Sequence, residues 1–224
     1  MKKQQKDTFL LSEGNAWFRR NKEIFVNKRN DPVLDCIKEL NISPQKVLEI
    51  GCSNGYRLAK ISKKYRAKCF GIDPSQDAIN TGSKLFKNIF LKQGTADTID
   101  FNENEFDLVV IGFCLYLCDR KDLFKIAYNV DRVLSNKGVL IILDFGPPFP
   151  YKNIYKYFKG IYSFKMNYST LFNWNPNYFT AYSKTFTHVK SKTSAIFNPD
   201  ERVTLHVLFK DNNSGYPDNP FKRS

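Results

Sequence analysis

Short apolar runs alternate with amphipathic stretches along most of the chain. Val47-Leu48-Glu49-Ile50, Cys69-Phe70-Gly71-Ile72, Ile89-Phe90-Leu91, Phe106 to Ile111 and Val139 to Leu143 have the length of strands and are apolar nearly throughout. Between them, residues 56–65, a stretch from Ser75 to about Leu85, and residues 120–134 recur at helical spacing. Asp31-Pro32 opens an earlier helix, with an acid at the cap and proline at the first helical position. Residues 8–29 read as an N-terminal helical element carrying Trp17, Phe18, Arg19 and Asn21. Near-continuous apolar strands separated by helices predict a parallel sheet covered on both faces. Ser183 to Val189 and Arg202 to Phe209 add two strands with no helix between them, hence an antiparallel pair. The expected fold is α/β, with a seven-stranded, mostly parallel sheet and helices on both faces, in one domain spanning residues 1–224.

Composition adds a charge question. The 224 residues hold 35 Lys+Arg against 22 Asp+Glu, a net charge of +13. A field of that sign concentrates anions, so nucleic acid, phosphorylated sugars and acidic membrane surfaces all fit as partners. The same balance fits the Lys-, Asn-, Ile- and Phe-rich usage of an AT-rich genome, and composition leaves both readings open. The five cysteines are irregularly spaced, and with only His188 and His206 beside them no metal site is expected. Reduced thiols suit a cytoplasmic protein. Met1-Lys2-Lys3 is followed only by the short apolar run Phe9-Leu10-Leu11, and no run of about 18 apolar residues exists, so neither a signal peptide nor a membrane span is expected.

The chemistry concentrates after the first strand, in Glu49-Ile50-Gly51-Cys52-Ser53-Asn54-Gly55. A glycine turn at the carboxyl end of a parallel strand lets backbone approach a ligand. The dinucleotide fingerprint G-x-G-x-x-G is not met, because Ser53 and Tyr56 stand where its second and third glycines would fall. The acid two residues before Gly51 repels a pyrophosphate and suits a cationic ligand. Glu49-x-Gly51-x-Ser53-x-Gly55 resembles the first motif of class I S-adenosylmethionine-dependent methyltransferases, with Ser53 at the middle glycine position. Asp73-Pro74 after the second strand, Ala96-Asp97 after the third, and Gly112-Phe113-Cys114-Leu115-Tyr116 after the fourth follow in the order of that family. The resemblance covers about residues 45–145. It implies a Rossmann-like fold and S-adenosylmethionine as cofactor, held by Glu49, Gly51, Ser53, Gly55, Asp73, Pro74, Ala96, Asp97 and Phe113. Asp73 would take the ribose diol and Asp97 the adenine amine.

Two flanking segments carry the acceptor question. Ser12 to Asn21 resembles an N-terminal segment of some bacterial methyltransferases of surface-polysaccharide clusters, which implies a cap over residues 1–30 with Trp17 and Arg19 at the acceptor. Residues 145–182 hold 14 of the 34 aromatic residues, four lysines and no acid. Such a segment builds either an acceptor lid or a small core of its own. As a lid it would offer Tyr151, Tyr162, Lys165, Tyr168 and Trp174, since aromatic faces interleaved with cations suit sugar rings bearing phosphate, or stacked bases. Asp144, Tyr116 and His188 are the candidate bases. The Asn-Pro-Pro-aromatic motif of the family's amino methyltransferases is absent after the fourth strand, which implies either oxygen as the acceptor atom or a small substrate. The expected function is O-methylation of a small anionic acceptor such as a sugar, nucleotide-activated sugar or phosphorylated precursor. An RNA methyltransferase and a non-catalytic cofactor-binding module are the competing readings.

Overall fold

The computed structural model describes residues 4–25, 31–188 and 196–221. Five strands, β1 (Lys46–Ile50), β2 (Lys68–Asp73), β3 (Ile89–Gln93), β4 (Phe106–Gly112) and β5 (Leu134–Phe145), pair in parallel. A hairpin, β6 (Tyr151–Ile154) and β7 (Tyr162–Lys165), forms a separate two-stranded sheet. Then β8 (Tyr178–Thr187) and β9 (Arg202–Lys210) complete the main sheet, in the order β3-β2-β1-β4-β5-β9-β8. Because β9 runs antiparallel to β5 and β8 antiparallel to β9, two reversals return β8 to the parallel sense and leave β9 as the lone reversed strand.

The helices begin where the side chains cap them. Asp31 accepts from the Val33 N–H at 3.0 Å at the start of α3 (Pro32–Glu39), which follows α1 (Gln5–Thr8) and α2 (Gly14–Asn21). The helix α4 (Tyr56–Tyr65) leaves the glycine turn directly, and Ser75 caps α5 (Gln76–Leu85) through the Ala78 N–H at 3.1 Å. Two more helices, α6 (Leu123–Val133) and α7 (Thr170–Asn173), complete the set.

Strand alternation divides the core into two layers. Val47, Leu108, Val110, Ile141, Leu143 and Val207 face one side, where α3, α4 and α5 pack; Leu48, Val109, Ile111, Leu140 and Ile142 face the other, with Ile126, Val130 and Val133 of α6. On α3, Val33 and Ile37 are wholly buried, each worth about 1.5–3 kcal/mol over exposure.

Boundaries differ from the sequence expectation at three places. β5 starts at Leu134, ahead of Val139, because the chain enters the ladder opposite Phe106 and then slips register before Leu108. β8 starts at Tyr178, so the last residues of the 145–182 segment are sheet edge. Residues 26–29 of the N-terminal element and Val189 lie outside the described residues.

The N-terminal run is helical from Gln5 to Phe25, with a π turn over Phe9–Glu13. Gly14 makes the close approach to α5: a Cβ there would stand 2.7 Å from the Phe9 carbonyl and 3.1 Å from the Ser75 nitrogen. Beside it Asn15 Oδ1 accepts from Ser75 Oγ at 2.9 Å and from the Asp77 N–H at 3.0 Å. This packing lays the run beside the carboxyl ends of β2 and β3.

Candidate active site

The strand order reverses at β1, with β2 on one side and β4 on the other, and the crevice outside their carboxyl ends is where open α/β sheets bind ligands. A cavity of about 770 Å³ lies there, within the span of small-molecule sites, about 300–1,000 Å³. Its floor is the turn after β1. Gly51 takes φ +75° and donates to the Ile72 carbonyl at 2.9 Å; a Cβ there would meet Cys114 at 2.9 Å. Ser53 adopts φ +50°, and its N–H reaches Asp73 Oδ2 at 2.8 Å. The Ser75 N–H donates to Asp73 Oδ1 at 2.8 Å, so both oxygens are anchored while the side chain still faces the cavity. Burial pushes the Asp73 carboxyl up to about 6 against those two N–H groups.

Glu49 is buried at the cavity wall, and Arg57 forms a very short ion pair with its Oε1. Arg57 also donates through Nε to both oxygens of Asp31, at 2.9 and 3.1 Å. Burial pushes the Glu49 carboxyl up to about 7; Arg57 pulls it back, while Asp31 and Asp73 push it further. Two buried polar atoms of the wall, Glu49 Oε2 and Ser53 Oγ, have no protein partner among the described residues. Such atoms are costly unless a ligand satisfies them. An unpaired carboxylate oxygen in a site of this shape fits a cationic guest.

At the far end, Lys6 Nζ lies 2.5 Å from Asp97 Oδ2 and 3.0 Å from Asp122 Oδ2. Burial would raise the Asp97 carboxyl, but hydrogen bonds from Lys6 and Thr95 outweigh it and hold the group below its usual range. Gln5 and Lys6 also anchor to Asp119 through their N–H groups at 3.1 and 3.0 Å. The N-terminal run therefore closes this end.

The opposite wall is aromatic. Phe113, at φ +47°, packs edge-on to Phe145 with centroids 5.6 Å apart, and Tyr116 meets Phe145 at 5.0 Å. His188 sits half-exposed over both phenylalanines, at 5.7 and 5.5 Å, with Nδ1 4.0 Å from Glu201 Oε2. Burial lowers the His188 pKa, Glu201 offsets this in part, and Lys165 adds to the lowering. Trp17, Tyr155 and Tyr157 close the wall from above. Tyr155 donates to Glu13 at 2.8 Å, and the Arg20 guanidinium lies 4.0 Å over the Tyr157 ring.

Of the residues assigned to the cofactor, Glu49, Gly51, Ser53, Asp73, Pro74, Ala96, Asp97 and Phe113 line the cavity. Gly55 lies beneath it, where a Cβ would strike Ile89 at 2.6 Å. Tyr116 and His188 line it as well; Asp144 does not. Asp144 falls between Leu143 and Phe145, which face the cavity, so alternation turns it to the opposite layer. There it accepts from the Phe145 and Tyr116 N–H groups at 2.8 and 3.3 Å, and burial pushes it up to about 7. Among the expected acceptor contacts only Trp17 reaches the cavity. Arg19 is drawn outward by Asp77 at 2.6 Å; Tyr151 and Lys165 are held by Asp200 at 2.7 and 3.0 Å. Tyr168 is buried in the second layer, donating to the Phe164 carbonyl at 2.6 Å; Tyr162 and Trp174 are on the surface. The 145–182 segment contributes Phe145, Tyr155, Tyr157 and Tyr182 instead.

Sequence reasoning missed Lys6, Arg57, Tyr155 and Tyr157. It also missed an acidic stripe on α3, Asp31, Asp35 and Glu39, whose spacing of four puts all three on the helix face that borders the cavity. Arg57 stands eight residues after Glu49 on the first turn of α4, a position visible in sequence but without a meaning until Glu49 and Asp31 are placed around it. Counting the walls, eight carboxylates (Asp31, Asp35, Glu39, Glu49, Asp73, Asp97, Asp119, Asp122) stand against three permanent cations, Lys6, Arg57 and Lys184. The cavity of this basic protein is electronegative.

Sheet order, lone reversed strand, glycine turn and acid-ended β2 together make a Rossmann-like fold of the kind seen in S-adenosylmethionine-dependent methyltransferases. Residues 47–138 match the family model described as a methyltransferase domain. The chain is 32% identical over 139 residues to a demethylmenaquinone methyltransferase of Staphylococcus saprophyticus, covering 56% of this chain and 57% of that one. It is 28% identical over 169 residues to the enzyme of the same name from Staphylococcus haemolyticus, covering 71% and 70%. The chain thus spans little more than half the length of the first of these relatives. Among solved structures it is similar to Burkholderia thailandensis 1,6-didemethyltoxoflavin-N1-methyltransferase with bound S-adenosylhomocysteine, at TM-score 0.71 and 12% identity, covering 92% of this chain and 89% of that one. That likeness extends the shared fold beyond residues 47–138 to nearly the whole chain. Among the described residues no helix is long and apolar enough to cross a membrane.

Proposed function

We propose that this protein methylates a flat, weakly charged aromatic acceptor, with S-adenosylmethionine as donor. The observation that carries the reading is the wall. An aromatic enclosure of Trp17, Phe113, Tyr116, Phe145 and Tyr157 adjoins a glycine turn flanked by Glu49, Asp73 and the Arg57 that pairs with Glu49. A phosphorylated or sugar acceptor, expected from the net charge and from the N-terminal resemblance to polysaccharide-cluster enzymes, would meet eight carboxylates, while Lys6 and Arg57 each already face two of them. A quinone-type ring, the acceptor in the names of the two staphylococcal relatives, fits the wall better.

The cofactor residues divide by chemistry. Glu49 offers its unpartnered oxygen to the cationic amino acid end, Ser53 and the turn hold the same end, Asp73 takes the ribose diol, and Asp97 with Ala96 borders the adenine. When bound, S-adenosylmethionine supplies a methyl group on a sulfonium that needs no further activation. The protein's part is alignment, which contributes about 7–11 kcal/mol at best. The rings fix the acceptor plane and exclude water. His188, at the rim with its pKa lowered by burial, removes a hydroxyl proton. Loss of that proton prepares either the oxygen or an adjacent ring carbon to attack, so one base serves O- and C-methylation alike.

The test is turnover. Incubation with S-adenosylmethionine and a naphthohydroquinone, a nucleotide sugar or transfer RNA, followed by S-adenosylhomocysteine release, should show product with the naphthohydroquinone alone. Release only with the sugar, or ribonuclease-sensitive label in RNA, would overturn the acceptor assignment. Cofactor binding without turnover on any acceptor of these classes would favour a non-catalytic module. Mass spectrometry of the methylated ring separates carbon from oxygen.

A further inference from the structure

We propose that the outer face of the β6–β7 hairpin is a docking surface for an anionic lipid bilayer, set beside the mouth of the cavity. The register pairs Ile154 with Tyr162 and Lys152 with Phe164, and directly opposed residues share a face. The inner face carries Tyr151, Asn153 and Lys165, all tied to Asp200. The outer face is open toward the connecting loop, with Ile154 76% exposed, Tyr162 36% and the loop's Tyr157 49%, while Phe164 at its other end is half-buried under the Arg120 guanidinium, 4.4 Å from the ring. An isoleucine so exposed on a two-stranded sheet is an unsupported apolar surface.

The charges around this surface name the occupant. Lys152, Lys156 and Lys159 are exposed, and no ion pair among the described residues engages them. Lys152 and Lys156 lie instead against the rings of Tyr162 and Tyr157, at 4.9 and 4.7 Å. Residues 145–182 contain no acid that would repel a phosphate. Apolar tips among unpaired lysines match the acyl boundary and headgroup layer of an anionic bilayer, with the lysine stems reaching up to the phosphates. A second copy of this chain, also at +13, would be repelled. Tyr157 belongs both to this surface and to the cavity wall, so a docked bilayer adjoins the site and an apolar acceptor need not cross water to enter. This purpose rests on the proposed aromatic acceptor; the docking itself does not.

The experiment is co-sedimentation of the full chain with sucrose-loaded vesicles, of mixed phosphatidylglycerol and phosphatidylcholine and of phosphatidylcholine alone. Binding is expected to the mixed vesicles only, weakening with salt. Replacing Lys152, Lys156 and Lys159 by Gln should lower partitioning about five-fold each, on the order of 100-fold together. Ile154→Ser should lower it roughly ten-fold, and Trp174→Ser, an exposed aromatic outside the hairpin, should leave it unchanged. All variants should keep wild-type turnover on a water-soluble acceptor, which shows that they fold. Equal binding to both vesicle types, binding to neither, or binding indifferent to the four hairpin substitutions would overturn the proposal. Failure of turnover with vesicle binding intact would strike the acceptor reading and leave the docking surface standing.

Discussion

Glu49 gives the sharpest prediction, because its unpartnered oxygen and its displaced pKa act together. If the carboxylate form alone receives the cationic cofactor, apparent affinity scales with the ionised fraction. With a pKa of about 7, that fraction rises about eight-fold from about pH 6 to about pH 7.5. Asp73, at about 6, adds about two-fold over the same interval. The wild-type protein should therefore bind S-adenosylmethionine about sixteen-fold more tightly at the upper pH. Glu49→Gln keeps the volume and removes the titration. Its affinity should be weak throughout, near that of the protonated wild type, and should change only about two-fold across the window. Isothermal calorimetry at constant ionic strength reads this directly. A second series in His188→Asn removes the imidazole, whose pKa burial lowers, as a contributor to the profile. A Glu49→Gln variant as steep as the wild type, or a flat wild-type profile, would refute the account of Glu49 as the charged contact.

Other positions separate the site from its surroundings. Asp144→Asn should leave turnover within a few-fold of wild type, whereas His188→Asn should lower kcat on the order of 100-fold; the reverse ranking would return the base to Asp144. For the fold, Asp144 has its pKa raised from 3.8 to about 7, so the proton is held more tightly folded than unfolded. Its contribution is complete below the unfolded value and is lost as pH rises through about 7, by at most about 4 kcal/mol, so Asp144→Asn should flatten the fall of Tm across that interval. Trp17→Ala should raise the acceptor KM, while Trp174→Ala, exposed and outside the cavity, should leave kinetics unchanged. Gly82→Ala would put a Cβ 2.2 Å from the Asn54 carbonyl, within the turn of the site; urea unfolding should show a loss of about 1–3 kcal/mol, with weaker cofactor binding alongside.

The elements of the site that sequence made legible are those fixed within one short segment. The glycine turn, its preceding acid and the acid ending β2 each sit at a strand's carboxyl end, and a strand order of this kind brings such ends together. What could not be read depends on register. Asp144 looked like a strand-end acid of the same type as Asp73. Its direction follows from the row Glu49, Val110, Ile141 across β1, β4 and β5, which puts Ile141, Leu143 and Phe145 on the face of Glu49 and leaves Asp144 on the other. No sequence pattern states that row. The 145–182 segment illustrates a second obstacle. Its composition promised aromatic contacts, but which rings face the cavity was decided by Phe9, Glu13 and Arg20 of the N-terminal run, which draw in Tyr155 and Tyr157 and leave Tyr162 and Trp174 outside.

The distribution of charge gives a physical reason why net charge alone is a poor guide to the acceptor. A net charge is an average over the surface, but a cavity feels its own walls, where low dielectric strengthens each interaction. Here the two have opposite sign. The N-terminal run contributes Lys6 to an otherwise acidic end, against Asp97 and Asp122, and Asp31 with α3 places a row of carboxylates along the cavity rim. Lys152, Lys156 and Lys159, which no ion pair among the described residues engages, lie outside, on the hairpin and its loop. A cationic donor is thus attracted into the cavity while the exterior attracts anions. In the proposed reading, the +13 describes what this protein rests against and the eight carboxylates describe what it takes in.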